Sequence, residues 1–393
     1  GKMIDKVSVA DCTLCGACIN ACPTDAIRLK KQYLDFCYPD IDADLCINCN
    51  KCELSCPILG EKSKPENGVP IAFAAKSKND EVRIRSSSGG AFYEFADKML
   101  KDGGYVCGAV FDEEFHVKHI VSNSKNDVYR MMGSKYAQSD MGYCYREIKY
   151  VLEKGHKVLF SGCPCQVAGL RTFLGKEYRN LLLIELICHG IPSDQMLQAY
   201  IRMQEKKYGA KLKRMEFRNK TKGWHNSAVR MEFENHRIYS IPYTADAYTI
   251  GFLRNISLKS SCYDCHFRNF TAGSDIILGD FWGAEVELPE DDNKGMSAIL
   301  VETGKGLRML ERCHLTSLSV QIETVTKYNR NLIQSAEVNQ QREPFYTFAE
   351  KNGLEAAIQN YLEEGYMQRL KRHVDYALRC VWNAIRGKGK PLY

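Results

Sequence analysis

Hydrophobic residues in this chain of 393 residues come in short runs, separated by glycine, proline and other turn-forming residues. The longest apolar run, at 181–188, is interrupted only by Glu185 and predicts a buried strand. Shorter runs predict strands at 157–161 and 275–278, and apolar residues at helical spacing predict a helix between Gly90 and Gly103. This mixture of buried strands and amphipathic helices indicates an α/β domain.

Two of the predicted strands are each followed by a helix. The strand at 157–161 leads into a helix that ends near Gly175, and the strand at 181–187 leads into a helix capped by Ser193. A strand-helix-strand-helix order predicts parallel neighbouring strands, whose carboxyl ends share one edge of the sheet. We expect the residues that directly follow these strands to lie together there: Cys163, Cys165, Cys188 and His189.

Composition and charge exclude several classes of protein. Hydrophobic residues make up 45% and charged residues 26% of the chain, which excludes collagen and wholesale disorder. No apolar stretch reaches the 18 residues that indicate a transmembrane helix. The net charge of +6 is concentrated at 366–393, so we expect no nucleic-acid partner for the body of the chain.

The basic C-terminal segment has its apolar residues at helical spacing and predicts an amphipathic helix. One interpretation is that this helix packs on its own domain or on a second copy in a homo-oligomer. The alternative is that it contacts an anionic membrane surface or an acidic partner protein such as ferredoxin.

The eighteen cysteines point to metal sites. The N-terminal residues lack the apolar core of a signal peptide, so we expect a cytoplasmic protein in a reducing compartment. Eight cysteines form two C-x2-C-x2-C-x3-C runs, each followed by proline, which is typical of two-cluster bacterial ferredoxins. Since the fourth cysteine of each run binds the other cluster, one [4Fe-4S] cluster is expected on Cys12, Cys15, Cys18 and Cys56 and the other on Cys46, Cys49, Cys52 and Cys22.

Further cysteines predict a third metal site. Cys262 and Cys265 form half of a site, and Cys165 and Cys188 would supply the other half. Zinc is one possible occupant, and a third [4Fe-4S] cluster is favoured because two are already expected. Cys163 competes with Cys165 as a ligand. The remaining cysteines are expected to pack as small hydrophobic residues: Cys37, Cys107, Cys144, Cys313 and Cys380.

Two segments have the composition of anion-binding loops. Residues 86–90, Ser-Ser-Ser-Gly-Gly, precede the first predicted helix, whose free amides attract an anion such as a pyrophosphate. An ordinary serine N-cap is the alternative. Residues 133–139 read Gly-Ser-Lys-Tyr-Ala-Gln-Ser, which would bind phosphate or form a surface turn, and Ser139 is a candidate cap for a helix running to Glu153.

Six motifs in this order resemble one family. They are Ser-Ser-Gly-Gly at 87–90, Gly-Ser-Lys-Tyr at 133–136, Pro-Cys-Gln-Val-Ala-Gly-Leu at 164–170, Ile-Cys-His-Gly at 187–190, the Cys262/Cys265 pair and Gly-Asp-Phe-Trp-Gly at 279–283. Over residues 6–310 the chain resembles the family of coenzyme F420 hydrogenase/dehydrogenase beta subunits, with an N-terminal two-cluster ferredoxin module. The plant 7-hydroxymethyl chlorophyll a reductase, which takes electrons from ferredoxin, is a relative.

The resemblance implies an α+β architecture. It places a ferredoxin module of the βαββαβ type at 1–60, a linker at 61–70 and a larger α/β domain with a mixed sheet at 71–365, before the amphipathic helix at 366–393. It also implies FAD and an iron-sulfur cluster in the larger domain. The cluster ligands would be Cys165, Cys188, Cys262 and Cys265, and the FAD contacts would be Ser87, Ser88, Gly89, Gly90, Ser134, Lys135, Tyr136 and Gln166.

The sequence therefore predicts an FAD-dependent iron-sulfur oxidoreductase. Electrons from a donor such as ferredoxin would pass through the clusters to FAD, which converts single electrons into the two that a small-molecule substrate takes up. His189 is a candidate proton donor because imidazole titrates near neutral pH, and a structural hydrogen bond is its alternative role.

The substrate itself is unknown, and residues 217–260, with Trp224, His225, Tyr243 and Arg254, are expected to line or cover its pocket. Two other functions stay open. One is a non-catalytic electron-relay subunit of a larger redox complex, and the other is an F420-dependent dehydrogenase that runs in the opposite direction.

Overall fold

The structure is a computed structural model that describes residues 6–60 and 68–363, together with Gly365 and Val374. Residues 61–67 of the predicted linker and, apart from Val374, the predicted helix at 366–393 lie outside the described residues. No helix in the described part of the chain has both the length and the hydropathy needed to cross a membrane. The predicted domain boundaries at residues 60 and 365 stay predictions.

The N-terminal residues form a hairpin and two short helices. Their elements are α1 (Ala17–Ala21), β1 (Ile27–Tyr33), β2 (Phe36–Ile41) and α2 (Lys51–Leu54), and the two strands pair antiparallel. Each helix follows a cysteine loop whose backbone enters the left-handed region at two positions, Leu14 and Gly16 in the first loop and Asn48 and Asn50 in the second. The two loops are therefore a structural repeat, like the cysteine runs that contain them.

The remaining described chain alternates strands and helices. The strands are β3 (Ile71–Ser77), β4 (Tyr105–Phe111), β5 (Val117–Ser122), β6 (Val158–Gly162), β7 (Leu181–Leu186), β8 (Leu212–Asn219), β9 (Ala228–Phe233), β10 (Ile238–Pro242), β11 (Ile276–Asp280), β12 (Ser297–Val301) and β13 (Leu315–Val320). The helices are α3 (Asp80–Arg85), α4 (Ala91–Lys101), α5 (Lys125–Met131), α6 (Cys144–Glu153), α7 (Pro164–Leu174), α8 (Asp194–Tyr208), α9 (Ala247–Leu253), α10 (Ala284–Glu287), α11 (Gly304–Glu311), α12 (Ile322–Tyr328), α13 (Arg342–Asn352) and α14 (Leu354–Tyr361).

The chain forms two compact units. The first contains the described residues up to Gln195 and from Leu258 to Glu337, and the second contains Met196–Ser257 and the described residues from Val338 onwards. The first unit is built on an eight-stranded mixed sheet with the order β13-β3-β12-β11-β7-β6-β4-β5. Its central neighbours β11, β7, β6 and β4 pair in parallel, and the outer pairs are antiparallel. The predicted mixed α/β fold is thus confirmed.

Helices cover both faces of this sheet. On one face Phe95 of α4 packs with Leu159 of β6, and on the other Val167 of α7 packs with Phe160. Consecutive residues of a strand point to opposite faces, so β6 is buried along its whole length. The same double coverage explains the continuous apolar run of β7, in which Glu185 is the one charged residue.

The expected cap at Ser139 is wrong. Helix α6 begins only at Cys144, with Tyr143 in the capping position. The Ser139 hydroxyl instead lies 2.6 Å from Nδ1 of His119, whose Nε2 donates to the carbonyl of Ser161 at 3.0 Å. Burial lowers the pKa of His119 to about 4, so the ring is neutral and accepts at Nδ1 from the serine.

The second unit has its own antiparallel sheet, with the order β10-β9-β8. At its centre the buried Asp246 caps α9 by accepting from the Thr249 amide at 3.0 Å, and it also accepts from the hydroxyls of Tyr200 and Tyr239. The guanidinium of Arg218 lies 5.6 Å from the ring of Trp224 and 5.1 Å from that of Tyr243. Both rings are buried in the interior of this unit.

The N-terminal elements are held against α6 and α7 by backbone-directed hydrogen bonds. Arg146 donates to the carbonyls of Asn20 at 2.7 Å and Ile19 at 3.2 Å, and to that of Cys22. The Tyr145 hydroxyl lies 2.7 Å from the carbonyl of Cys15 and 2.8 Å from that of Gln166 on α7. These contacts fix the first cysteine loop against the larger sheet.

Two buried carboxyl groups lie beside the parallel strands. Glu185 of β7 and Glu302, which directly follows β12, are 3% and 2% exposed. The Ser274 hydroxyl donates to Glu302 and is also a hydrogen-bonding neighbour of Glu185. Burial and mutual repulsion raise the pKa of Glu185 well above its usual range, and burial raises that of Glu302 to about 7. Protonation of these acids therefore stabilises the fold.

This pair predicts a pH-dependent stability. Because the folded-state pKa of Glu302 is raised, its stabilising contribution is complete below about pH 4.5 and is lost as the pH rises through 7. Replacing Glu302→Gln should raise the unfolding free energy at pH 8 by roughly 2–3 kcal/mol, since each pKa unit corresponds to about 1.4 kcal/mol, and should flatten the profile from pH 5 to 8. Chemical denaturation at several pH values measures both effects.

The exposed Glu311→Gln on α11 is the matched control and should leave the profile unchanged. An E302Q protein that is equally or less stable than the parent at pH 8 would contradict the raised pKa.

Gly169 of α7 gives a second prediction. A Cβ atom at this position would lie 2.9 Å from Sγ of Cys15 and 3.0 Å from its Cβ, closer than packed atoms approach. Replacing Gly169→Ala should displace the first cysteine loop, lower the melting temperature and remove up to about four irons per chain, the content of one [4Fe-4S] cluster. Gly304→Ala is the control, because a Cβ there would meet the flexible end of Arg308 at 3.4 Å. Unchanged iron in both proteins would rule out this close contact.

Candidate functional site

The first cysteine run meets the last cysteine of the second run around one cavity. This cavity of about 260 Å³ is lined by Cys12, Cys15, Cys18 and Cys56, which we call the first cysteine group. Apolar side chains such as Leu14, Tyr38 and Ile58 complete its wall. Burial raises the pKa of Cys15 to about 12, while the amide of Ala17 donates to its sulfur and favours the thiolate. The arrangement fits the four-thiolate, largely apolar environment of a cubane.

The other four cysteines form the second cysteine group: Cys22, Cys46, Cys49 and Cys52. Cys22 packs with Cys46 and Cys52, and Cys52 interacts electrostatically with Cys22 and Cys49. The amide of Ala26 donates to the Cys22 sulfur at 3.3 Å, and such hydrogen bonds lower the pKa of that thiol. Cys49 is exposed, whereas each cysteine of the first group is buried or half-buried. The second group therefore lies nearer to the protein surface.

The structure also brings together the four cysteines of the expected third site. Cys165 lies in the first turn of α7, Cys188 follows β7, and Cys262 and Cys265 lie in and after a 3-10 turn at Ser260–Cys262. Cys165 interacts electrostatically with Cys188 and Cys265, and Cys262 interacts with the same two residues. We call these residues the third cysteine group. As predicted, Cys165 and Cys188 follow the carboxyl ends of the parallel strands β6 and β7.

In the described part of the chain, no group of three or more His, Cys, Asp or Glu side chains is arranged to hold a single metal ion.

Cys163, in the N-cap position of α7, is a hydrogen-bonding neighbour of Cys188. This interaction raises the pKa of Cys163 and, together with the charges of Arg268 and Lys259, lowers that of Cys188 to about 6. The hydrogen bond therefore favours the thiol form of Cys163 and the thiolate form of Cys188.

Two buried cations flank the third cysteine group. Arg268 donates to the carbonyls of Cys188 and Asn331 and, at 3.4 Å, to that of His189. Lys259 donates to the carbonyl of Thr13 and, at 2.6 Å, to Oε1 of Gln138. Neither cation was recognised from the sequence because neither belongs to a cysteine motif, and only their position within six residues of Cys262 could have drawn attention to them.

The two predicted anion-binding segments come together at the start of α4. The Ser134 amide donates to the Ser87 hydroxyl at 2.7 Å, and the hydroxyls of the two serines are 2.9 Å apart. Gly90 begins α4 with a φ of 90° and provides no side-chain cap for the helix. Such a helix start, with serines beside it, has the donors that an anion needs.

The other predicted cofactor contacts bond within the protein. Ser88 donates to the carbonyl of Met296 at 2.6 Å, and a Cβ at Gly89 would lie 2.5 Å from the carbonyl oxygen of Ala75. Lys135 donates to the carbonyls of Met131, Met132 and Gly133 at 3.1–3.3 Å, at the C-terminus of α5, and burial lowers its pKa to about 7. Gln166 accepts from the Cys163 amide at 2.9 Å. Tyr136 and His189 are half-buried.

Family models match three consecutive parts of the chain. A 4Fe-4S dicluster domain matches residues 11–58, the N-terminal part of the coenzyme F420 hydrogenase/dehydrogenase beta subunit matches 72–144, and the C-terminal part of the same subunit matches 155–328. The dicluster match supports iron-sulfur clusters in the N-terminal residues.

Two curated relatives come from Methanosarcina mazei and Methanocaldococcus jannaschii. One subunit of the F420H2 dehydrogenase of Methanosarcina mazei is 28% identical over 327 residues, which cover 76% of this chain and 90% of the relative. Coenzyme F420-dependent sulfite reductase of Methanocaldococcus jannaschii is 27% identical over 194 residues, which cover 49% of this chain and 30% of the relative.

Among solved structures, a chain of the F420-reducing [NiFe] hydrogenase complex from Methanosarcina barkeri matches with a TM-score of 0.43 and 16% identity, over 84% of this chain and 97% of that chain. This similarity is too low to identify a function. The two beta-subunit models, however, together cover more than half of the chain. The protein therefore belongs to the family of coenzyme F420 hydrogenase/dehydrogenase beta subunits and carries a 4Fe-4S dicluster domain before the family's two parts.

Proposed function

We propose that this chain is an FAD-dependent iron-sulfur oxidoreductase with three [4Fe-4S] clusters. The observation that carries the proposal is the shared use of α7 by two cysteine groups. Cys165 lies in the first turn of this helix, and Gly169, one turn later, packs against Cys15 of the first group. Cys15 also interacts electrostatically with Cys165. Two electron-carrying sites in such contact form a continuous path into the larger domain.

In this proposal the first, second and third cysteine groups each hold one cluster. Cys163 acts as a hydrogen-bond donor to the sulfur of Cys188 rather than as a ligand, since the two residues are hydrogen-bonding neighbours and the family resemblance assigns the ligand to Cys165. Hydrogen-bond donors to a ligand sulfur stabilise the reduced cluster, so the Cys163 thiol would raise the reduction potential of the third site.

FAD is proposed at the start of α4, where it would supply the conversion between single-electron and two-electron chemistry. The family resemblance implies FAD contacts in these segments, and the contact between Ser87 and Ser134 beside an uncapped helix start is consistent with them. Lys135 would support the loop after α5 through its bonds to three carbonyl groups, and Gln166 would hold the backbone of Cys163 at the start of α7. His189, half-buried and directly after Cys188, remains our candidate for proton transfer.

The two-electron substrate is proposed to be a deazaflavin of the F420 type, because both curated relatives carry that coenzyme in their names. The single-electron partner would be a ferredoxin-like protein or a partner subunit in the cytoplasm, which approaches the exposed second group. A relay role in a larger complex is the second candidate function, favoured by the relative that is named as a subunit and that this chain covers over 90% of its length.

The third site predicts a specific iron count. Anaerobically purified protein should contain about 12 irons per chain, and Cys262→Ala should reduce this to about 8 while the signals of the dicluster domain persist. The matched control is Cys313→Ala, because the Cys313 sulfur contacts the carbonyl of Glu94, away from all three groups. About 8 irons in both the parent and C262A would reject the third cluster.

Flavin content and anaerobic titration test the rest of the proposal. Acid treatment should release about one FAD per chain, and stoichiometric reduced F420 should bleach flavin and cluster absorbance of the isolated chain. A flavin-free protein would reject the flavoprotein proposal. Bleaching that requires a partner subunit would favour the relay function. NADH is the control hydride donor and should not bleach the protein.

A further inference from the structure

Lys259 is the most deeply buried lysine that contacts the cysteine groups. Its exposed fraction is 2%, although lysine is almost never fully buried unless it is paired. An isolated ammonium in such a position would cost several kcal/mol. Among the described residues no salt bridge of Lys259 to a carboxylate is found, and its two hydrogen bonds go to neutral oxygens. In the proposed function, the negative charge of the thiolate-bound clusters would balance the Lys259 ammonium.

The backbone and side chain of Lys259 connect three cysteine-bearing segments. Its ammonium donates to the carbonyl of Thr13, in the loop between Cys12 and Cys15. Its amide donates to the carbonyl of Ile191 at 2.8 Å, in the segment after Cys188, and its own carbonyl accepts from the amide of Cys262 at 3.0 Å. One residue thus ties the first cysteine group to both halves of the third.

Gln138 reinforces this connection. The side-chain Oε1 of Gln138 accepts from Lys259 at 2.6 Å, and its Nε2 lies 3.4 Å from the carbonyl of Leu14. The backbone amide of Gln138 donates to the carbonyl of Pro192 at 2.8 Å. The lysine ammonium is therefore held between the first loop and the loop that follows β7, with little freedom to move towards solvent.

The charge of Lys259 acts on both cysteine groups. It interacts electrostatically with Cys12 of the first group and with Cys165, Cys188, Cys262 and Cys265 of the third. Among the described residues, Lys259 is not one of the main electrostatic influences on Cys22 or Cys52 of the second group, and in the first group it acts on Cys12 alone. Other charged residues also act on the cysteines that Lys259 influences. They are Arg268, Asp11 and Glu185, and each acts on only some of these cysteines.

We propose that Lys259 is a positioning residue for electron transfer, which holds the first and third cysteine groups in register and raises the reduction potential of both clusters. The proposal rests on the function proposed above. Transfer of one electron oxidises one cluster, reduces the other and involves no proton. Each reduction adds one negative charge, which a fixed cation in a low-dielectric interior stabilises. Because the same ammonium lies near both sites, it shifts both potentials in the same direction.

The test is an anaerobic redox titration of the full-length holoprotein, followed by electron paramagnetic resonance, for Lys259→Met, Lys259→Gln and Lys259→Arg. The C262A protein identifies the signals of the third cluster. Both neutral variants should decrease the ratio of reduced to oxidised cluster at least tenfold at a fixed potential, a shift of about 59 mV for a one-electron couple. The first and third clusters should shift together, the second should stay unchanged, and K259R should retain the parent potentials.

Lys305→Met is the matched control, since Lys305 is also partly buried and donates to a backbone carbonyl, that of Leu181, but lies by Asp275. Unchanged potentials in K259Q with full iron content would overturn the proposal, and so would an equal shift of all three clusters. If the parent holds only about 8 irons, the third site fails, while the first cluster still reports the effect of Lys259. If K259M loses iron, K259Q and K259R decide the outcome.

Discussion

The arrangement of the redox sites depends on the close packing of the first cysteine loop against α7. Gly169 leaves room for the sulfur of Cys15, and the Tyr145 hydroxyl bonds to the carbonyls of both Cys15 and Gln166. The same helix begins at the end of β6 and presents Cys165 in its first turn. A larger side chain at residue 169 would separate the N-terminal module from the sheet, and the path between the first and third groups would be interrupted.

Burial of many thiolates imposes a second constraint, that of charge. A reduced or oxidised cubane with four thiolates is an anion, and its burial is costly unless cations or hydrogen-bond donors lie nearby. The structure provides both, with amides directed at Cys15, Cys18 and Cys22, and with Lys259 and Arg268 at the third group. Residues 1–365 have no net charge, so the sequence does not reveal this local excess of positive charge. It arises only where the folded chain brings Lys259 and Arg268 to the third group.

The sequence predicts the cysteine repeat and the central strands, but it does not predict the contacts that hold the cysteine groups together. Cysteine spacing is local, so the repeat of Cys12–Cys22 at Cys46–Cys56 was visible, and the apolar run at 181–187 predicted β7 because a strand covered on both faces excludes polar residues. Lys259, Tyr145 and Arg146 were not recognised, since their roles arise from contacts with residues more than 100 positions away. The prediction at Ser139 was wrong because a serine before a helical pattern is typical of a cap, and only the fold reveals that the buried His119 needs its hydroxyl.

The three groups differ in their depth within the protein, and this difference gives the path an order. The second group includes the exposed Cys49 and lies among exposed apolar side chains such as Ile47 and Leu54. The first group is lined by the buried Cys15, and the third adjoins the parallel strands, where α/β sheets bind ligands. In the proposed function, an external one-electron partner would therefore meet the second group first, and a two-electron substrate would bind at the far end of the path. Lys259 lies between the two inner groups, so its charge acts on the electron-transfer step that we propose between them.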